Sequence, residues 1–148
     1  MGLAALALVL ARCAPPPPPP PTVVTLSMTA AADINPTATG SAAPVQLRVY
    51  QLTSDATFNG AEFFALLERD QATLADQQVR REDFLMAPGQ ARTAVLRPEA
   101  RVAALGFFVA VRSTDGVTWR TAWAVAPNKT SAVEVSVARE GLTLTVAP

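Results

Sequence analysis

Cys13 is the one thiol in this 148-residue chain, and the residues around it decide what its chemistry can be. A lone cysteine forms neither an internal disulfide nor a Cys-rich zinc site. The chain has no histidine. That removes the commonest general base and the commonest metal ligand, and with them any Ser-His-Asp or Cys-His arrangement. The twelve carboxylates are scattered without the spacing of a catalytic pair. The residue types thus argue against an enzyme and call for no cofactor, metal or small-molecule substrate. Twelve Lys and Arg balance the twelve Asp and Glu, so no basic excess points to nucleic acid. What is left for Cys13 is modification.

The ten residues from Gly2 to Ala11, GLAALALVLA, are apolar throughout. Such a run is too short to span a bilayer, which takes roughly 20 residues, and has the length of the apolar core of a secretion signal. The order Leu10-Ala11-Arg12-Cys13 resembles a bacterial lipobox, whose cysteine becomes the lipidated first residue of the mature chain. Arg12 departs from the small residue usual there, and only Met1 and Gly2 precede the leucines. Residues 1–12 are accordingly expected to be a signal peptide and Cys13 the lipidation site. Ala14 in place of aspartate implies, by the same resemblance, transport to the outer membrane. Seven prolines, Pro15 to Pro21, then favour polyproline II and give residues 13–21 the character of a semi-rigid spacer.

From Thr22 onward the signal is alternation. Thr22 to Ala31 reads as a strand with Val24, Leu26 and Met28 on one side. In the second strand, Val45, Leu47 and Val49 share a face, and at Tyr50 and Leu52 the opposite face turns apolar as well. That face needs a cover, and the next residues supply one. Asn59 suits a helix N-cap with Glu62 completing a capping box, Phe58 and Phe63 suit a hydrophobic staple, and Phe63, Leu66 and Leu67 form a helical stripe. Asp70 is placed to open a second helical stretch to Gln78, with a strand resuming near Glu82.

Further strands follow at Ala91–Arg97, Val102–Ser113, Val117–Val125, Ser131–Val137 and Leu142–Val146, separated by Pro, Gly and Asn turn signals. Val102–Ser113 is apolar on both faces, the mark of a central strand. Trp119 and Trp123 share a face by period, with apolar companions that favour core over a sugar-binding platform. About eight short strands with one helical insertion after the second predict an all-β, two-sheet antiparallel sandwich over 22–148.

The runs TVVTLSMTAAADINP and RVYQL, followed by a Phe and an FF-L-L helix, resemble the outer-membrane lipoprotein of type VI secretion systems, the TssJ or SciN-like family. The likeness runs from about Thr22 to the C-terminus and is strongest from Asp33 to Leu67. The resemblance implies a transthyretin-like sandwich, lipid-anchored on the periplasmic face of the outer membrane. It implies as partner the periplasmic domain of the inner-membrane protein TssM, held by the loop between the first two strands. In this sequence that loop is Ala32–Ala43, where Asp33, Asn35, Thr37, Thr39 and Ser41 offer polar contacts, Pro36 and Gly40 shape the chain, and Ile34 is the expected apolar anchor. The competing class is an unrelated sandwich lipoprotein that binds glycans or another ligand through Trp119 and Trp123.

Overall fold

The computed structural model describes residues 13–147, so the signal-peptide assignment of residues 1–12 lies outside the described residues. Eight strands form two four-stranded sheets: β1 (Val23–Ala30), β2 (Val45–Leu52), β3 (Gln78–Met86), β4 (Ala91–Leu96), β5 (Ala104–Ala110), β6 (Arg120–Ala124), β7 (Thr130–Ala138) and β8 (Gly141–Val146). One sheet has the order β4-β1-β7-β8, the other β3-β2-β5-β6. Every ladder is antiparallel except that between β1 and β7, which is parallel. The inward positions named by alternation meet between the sheets: Leu26 and Met28 of β1, Leu47 and Val49 of β2, Phe107 of β5 and Val135 of β7 are all buried.

A second apolar layer lies on the outer face of the β2–β5 sheet. Tyr50 and Leu52 of β2 and Phe108 of β5 are buried there beneath Phe58, Phe63, Leu66 and Leu74 of the helical insertion. The insertion comprises α1 (Ala56–Gly60), α2 (Phe63–Leu74) and a 3-10 turn (Ala75–Gln77). Gly106 of β5 makes the close approach: a Cβ there would sit 3.0 Å from the Phe58 ring.

The local capping differs from the sequence reading. Asn59 lies within α1 and donates through Nδ2 to Asp55 at 3.0 Å. Helix α2 begins at Phe63 after Glu62, with no side-chain cap bond. Arg69, with φ −140° and ψ 34°, breaks α2 in the middle, and Asp70 accepts from the Gln71 N–H at 2.9 Å to open its second half. The break frees carbonyls, and side chains take them up. Arg48 of β2 donates to Leu66 O at 2.8 Å and Leu67 O at 3.1 Å, and the Thr73 hydroxyl donates to Ala65 O at 3.2 Å. Arg120 of β6 does the same for α1, donating to the carbonyls of Phe58 and Ala61 while its guanidinium lies 4.5 Å from the Trp119 ring centroid.

Beside α2 a buried polar network locks the insertion to the edge strand. Asp70 accepts from the Tyr50 hydroxyl at 3.0 Å and pairs with Arg81 of β3 at 2.6 Å, and Arg81 also reaches Asp83 at 3.0 Å. Burial pushes the Tyr50 phenol up to about 12, against the opposing pull of Arg48. Burial also raises Asp70, but the hydrogen bonds from Arg81 and Tyr50 outweigh it and hold the carboxyl below its ordinary value. Strand β3 starts at Gln78, earlier than the residue pattern indicates, because it is an edge strand whose first five residues are half-buried or exposed and so lack alternation.

Candidate functional site: the loop end of the sandwich

Strand β1 runs between two opposite ends of the sandwich. The spacer enters at its start, where the Val23 N–H donates to Lys129 O at 3.0 Å and the Asn128 N–H donates to Thr22 Oγ1 at 2.8 Å. Pro19, Pro20 and Pro21 line a cleft with Arg97, Pro98 and Pro127, so the end of the polyproline run is seated against the domain. Cys13 is exposed beyond it. The eight residues of β1 then carry the chain roughly 25 Å to the opposite end, where the crossover to β2 in the other sheet begins.

The crossover is built rather than loose. Its tip is a turn in which the Thr37 N–H donates to Ser41 O at 2.8 Å and the Gly40 N–H donates to Thr37 O at 2.9 Å. The Thr37 hydroxyl lies 3.0 Å from that of Thr39 and accepts from the Ser41 N–H at 3.2 Å. Gly40 has φ +84°, a conformation that suits glycine at the tip. Asn35, at φ +45°, donates through Nδ2 to Pro44 O and accepts at Oδ1 from the Arg112 N–H, both at 2.9 Å. It therefore clamps the crossover to the turn after β5.

These bonds sort the residues singled out from sequence. Asp33, Thr39, Gly40 and Ser41 are exposed; Asn35, Pro36 and Thr37 are half-buried, and Asn35 is committed to the fold by its clamp. Ile34 is fully buried in the inter-sheet core. The expectation that it is an anchor for a partner is thus corrected: it is the anchor of its own loop. A lone apolar residue among polar ones carries the same signal in either role. The tryptophans serve as packing residues. Both lie against the inter-sheet core, and the Trp119 ring also meets Phe63 at 5.3 Å and Phe108 at 5.9 Å on the helix side. Both are half-buried.

Sequence reading missed what the crossover joins. Ile34, Asn35 and Pro36 wall a cavity of about 210 Å³ together with the turns after β5 and β7. Val45, Val111, Val117 and Val137 are its further apolar walls, and Arg112, Arg139 and Asp115 its charged ones. Arg112 precedes and Asp115 lies within the turn at residues 113–116, which the sequence marks only by its Asp-Gly pair, and Arg139 sits in a turn with no motif at all. Among the described residues no group of three His, Cys, Asp or Glu side chains converges, and no helix is long and apolar enough to cross a membrane.

Comparison with known proteins places this architecture. None of the curated proteins compared matches the chain by sequence. Residues 22–140 match the family model of the type VI secretion lipoproteins, described as T6SS-SciN, VasD, EvfM and TssJ. Among solved structures, the chain is similar to the type VI lipoprotein TssJ1 of Pseudomonas aeruginosa, with 35% identity and a TM-score of 0.84 over 87% of this chain and 98% of that one. It is similar to a chain of a type VI membrane complex, with 26% identity and a TM-score of 0.70 over 86% and 98% of the two chains. It is also similar to a chain in a structure described as the TssM C-terminal domain from EAEC, with 25% identity and a TM-score of 0.66 over 82% and 99%. The family is one of structural components of the secretion system and is not known for enzymes. The chain, with its two-sheet sandwich and the helical insertion over one face, belongs to the TssJ-like type VI secretion lipoproteins.

Proposed function

We propose that this lipoprotein is anchored through Cys13 on the periplasmic face of the outer membrane and binds the periplasmic domain of a TssM-type inner-membrane protein with its opposite end. The observation that carries this reading is the opposition of the two ends. The spacer is seated at the start of β1, and the crossover of residues 31–44 leaves from its finish. A domain hung from one membrane by the first end presents the second toward the other membrane. The similarity to chains in a type VI membrane complex and in a structure described by a TssM domain supports the choice of partner.

Within the crossover the exposed residues Asp33, Thr39, Gly40 and Ser41 make the contact, and Asn35, Pro36 and Thr37 hold them in shape. Ile34 contributes from inside, by fixing the base of the loop to the core. The test is a deletion of Thr37–Ala42 in the lipoprotein, assayed against the purified TssM periplasmic domain. Weakened binding with an unchanged cooperative melt is expected. Unchanged affinity in the folded variant moves the interface off this loop.

A further inference from the structure

The cavity beside the crossover is too small for the usual small-molecule ligand and too apolar for a bare ion. Drug-sized ligands occupy about 300–1,000 Å³, whereas an apolar cavity of about 150 Å³ already takes benzene. A volume of about 210 Å³ suits one large aliphatic or aromatic side chain. Its apolar lining agrees: half-buried Val111 and Val117 face it, backed by the buried Ile34, Val45 and Val137. Its rim adds a charge preference. Arg112 and Arg139 are exposed there, and among the described residues neither is in an ion pair, while Asp115 leaves the rim one positive charge in excess. Asn35 holds the two sides of the mouth together by bonding both the crossover and the Arg112 backbone. A receptor fixed before binding loses less ordering entropy when it is filled.

We infer that this cavity receives a single large apolar side chain of the partner protein, flanked by a carboxylate that Arg112 and Arg139 engage. The inference rests on the proposed function and names the part of the partner that the loop end reads. An inserted anchor ringed by weaker contacts is the usual distribution of energy at a protein interface, and paired N–H donors of a guanidinium fit a carboxylate. The loop tip then supplies rim contacts around a socket it does not itself contain.

The test uses the full-length lipoprotein in detergent and the purified periplasmic domain of the TssM-type protein from the same envelope. Two variants address the two halves: Val117→Trp fills the socket, and Arg112→Glu with Arg139→Glu reverses the rim. Each is expected to raise Kd at least tenfold at low salt with the melting temperature kept, and the reversed rim is expected to reverse the salt dependence of association, so that added salt strengthens binding. Should Val117→Trp fail to fold, Val117→Leu replaces it, and the exposed arginine changes remain informative. A loss in only one variant overturns the half of the inference that the other addresses. Both variants within twofold of the parent, while deletion of Thr37–Ala42 abolishes binding, overturn the socket and leave the proposed function standing. A parent chain that does not bind the domain at all overturns both.

Discussion

Arg48 shows how one charged side chain can belong to a core. It sits at an outward position of β2, almost wholly buried, with its guanidinium 5.6 Å from the Phe108 ring centroid and on the carbonyls freed by the break in α2. A cation is favourable at a helix C-terminus, and the broken helix places one such end directly above the sheet. Arg48→Ala leaves those carbonyls without their donor, and the expected loss is about 2–3 kcal/mol in chemical denaturation. Asn59→Ala tests the corrected cap. Because its bond to Asp55 lies on the surface of α1, the change is expected to stay within about 0.5 kcal/mol; a loss of about 1 kcal/mol or more restores it as the cap. Asp70 sets an acid limit. Its carboxyl is held below the ordinary value in the fold, so its contribution is complete above the unfolded value of about 3.9 and fades as pH falls through the folded one. Tyr50 works in the other direction: raised to about 12, it contributes fully below the unfolded value of about 10 and is lost as pH climbs through about 12. Asp70→Asn is expected to lower the melting temperature at neutral pH and to flatten its fall in acid; an acid limb as steep as the parent's assigns that limit to other carboxylates.

At the scale of elements, what could be read from sequence was what leaves a period. The double-faced apolarity of β5 and the late apolar turn of β2's outer face point to a sandwich with a covered sheet, and both sit as that pattern requires. Phe63, Leu66 and Phe58 are the cover. Phe63→Ala opens a void between helix and sheet, and a loss of about 3 kcal/mol is expected; a variant that melts with the parent means the insertion does not dock. Element ends were less legible, since they depend on partners far along the chain. Nothing near Asn59 shows that Arg120 of β6 will hold the end of α1. The three-residue spacing from Asn59 to Glu62 fits a capping box, yet α1 and α2 divide it between them. Gly141 is a similar case. At φ +108° it lets β8 bridge to Thr118, with Leu142 N–H donating to Thr118 O at 2.8 Å, and so ties β8 to the segment that leads into β6. Ile34 could not be assigned to core or interface from composition, because burial of a loop residue is decided by the strands beneath it.

The whole molecule is polar in the sense of having a spacer end and a free loop end, and the parallel pairing of β1 with β7 shapes that polarity. Both strands start at the spacer end, so the turns after β1 and β7 emerge together at the other, beside the turn after β5. Alternation gives no sign of strand direction, so the cavity those turns enclose was invisible until the chain was folded. If the free end must reach a partner across the periplasm, the spacer's length is part of the function. Seven prolines extend about 3.1 Å each, roughly 22 Å in all, and Pro19–Pro21 are already seated on the domain. The adjustable part is therefore Pro15–Pro18, whose deletion draws the domain about 12 Å toward the membrane without touching the seated prolines or the loop end. Binding to the TssM domain in detergent is expected to be unchanged in this variant, while its recovery with TssM from intact envelopes falls. Restoring the length with four Gly and Ser residues recovers the reach with little stiffness, so partial recovery separates reach from rigidity. If the deletion leaves envelope recovery at the parent level, the distance from membrane to domain is not limiting, and the prolines serve only to seat the strand they precede.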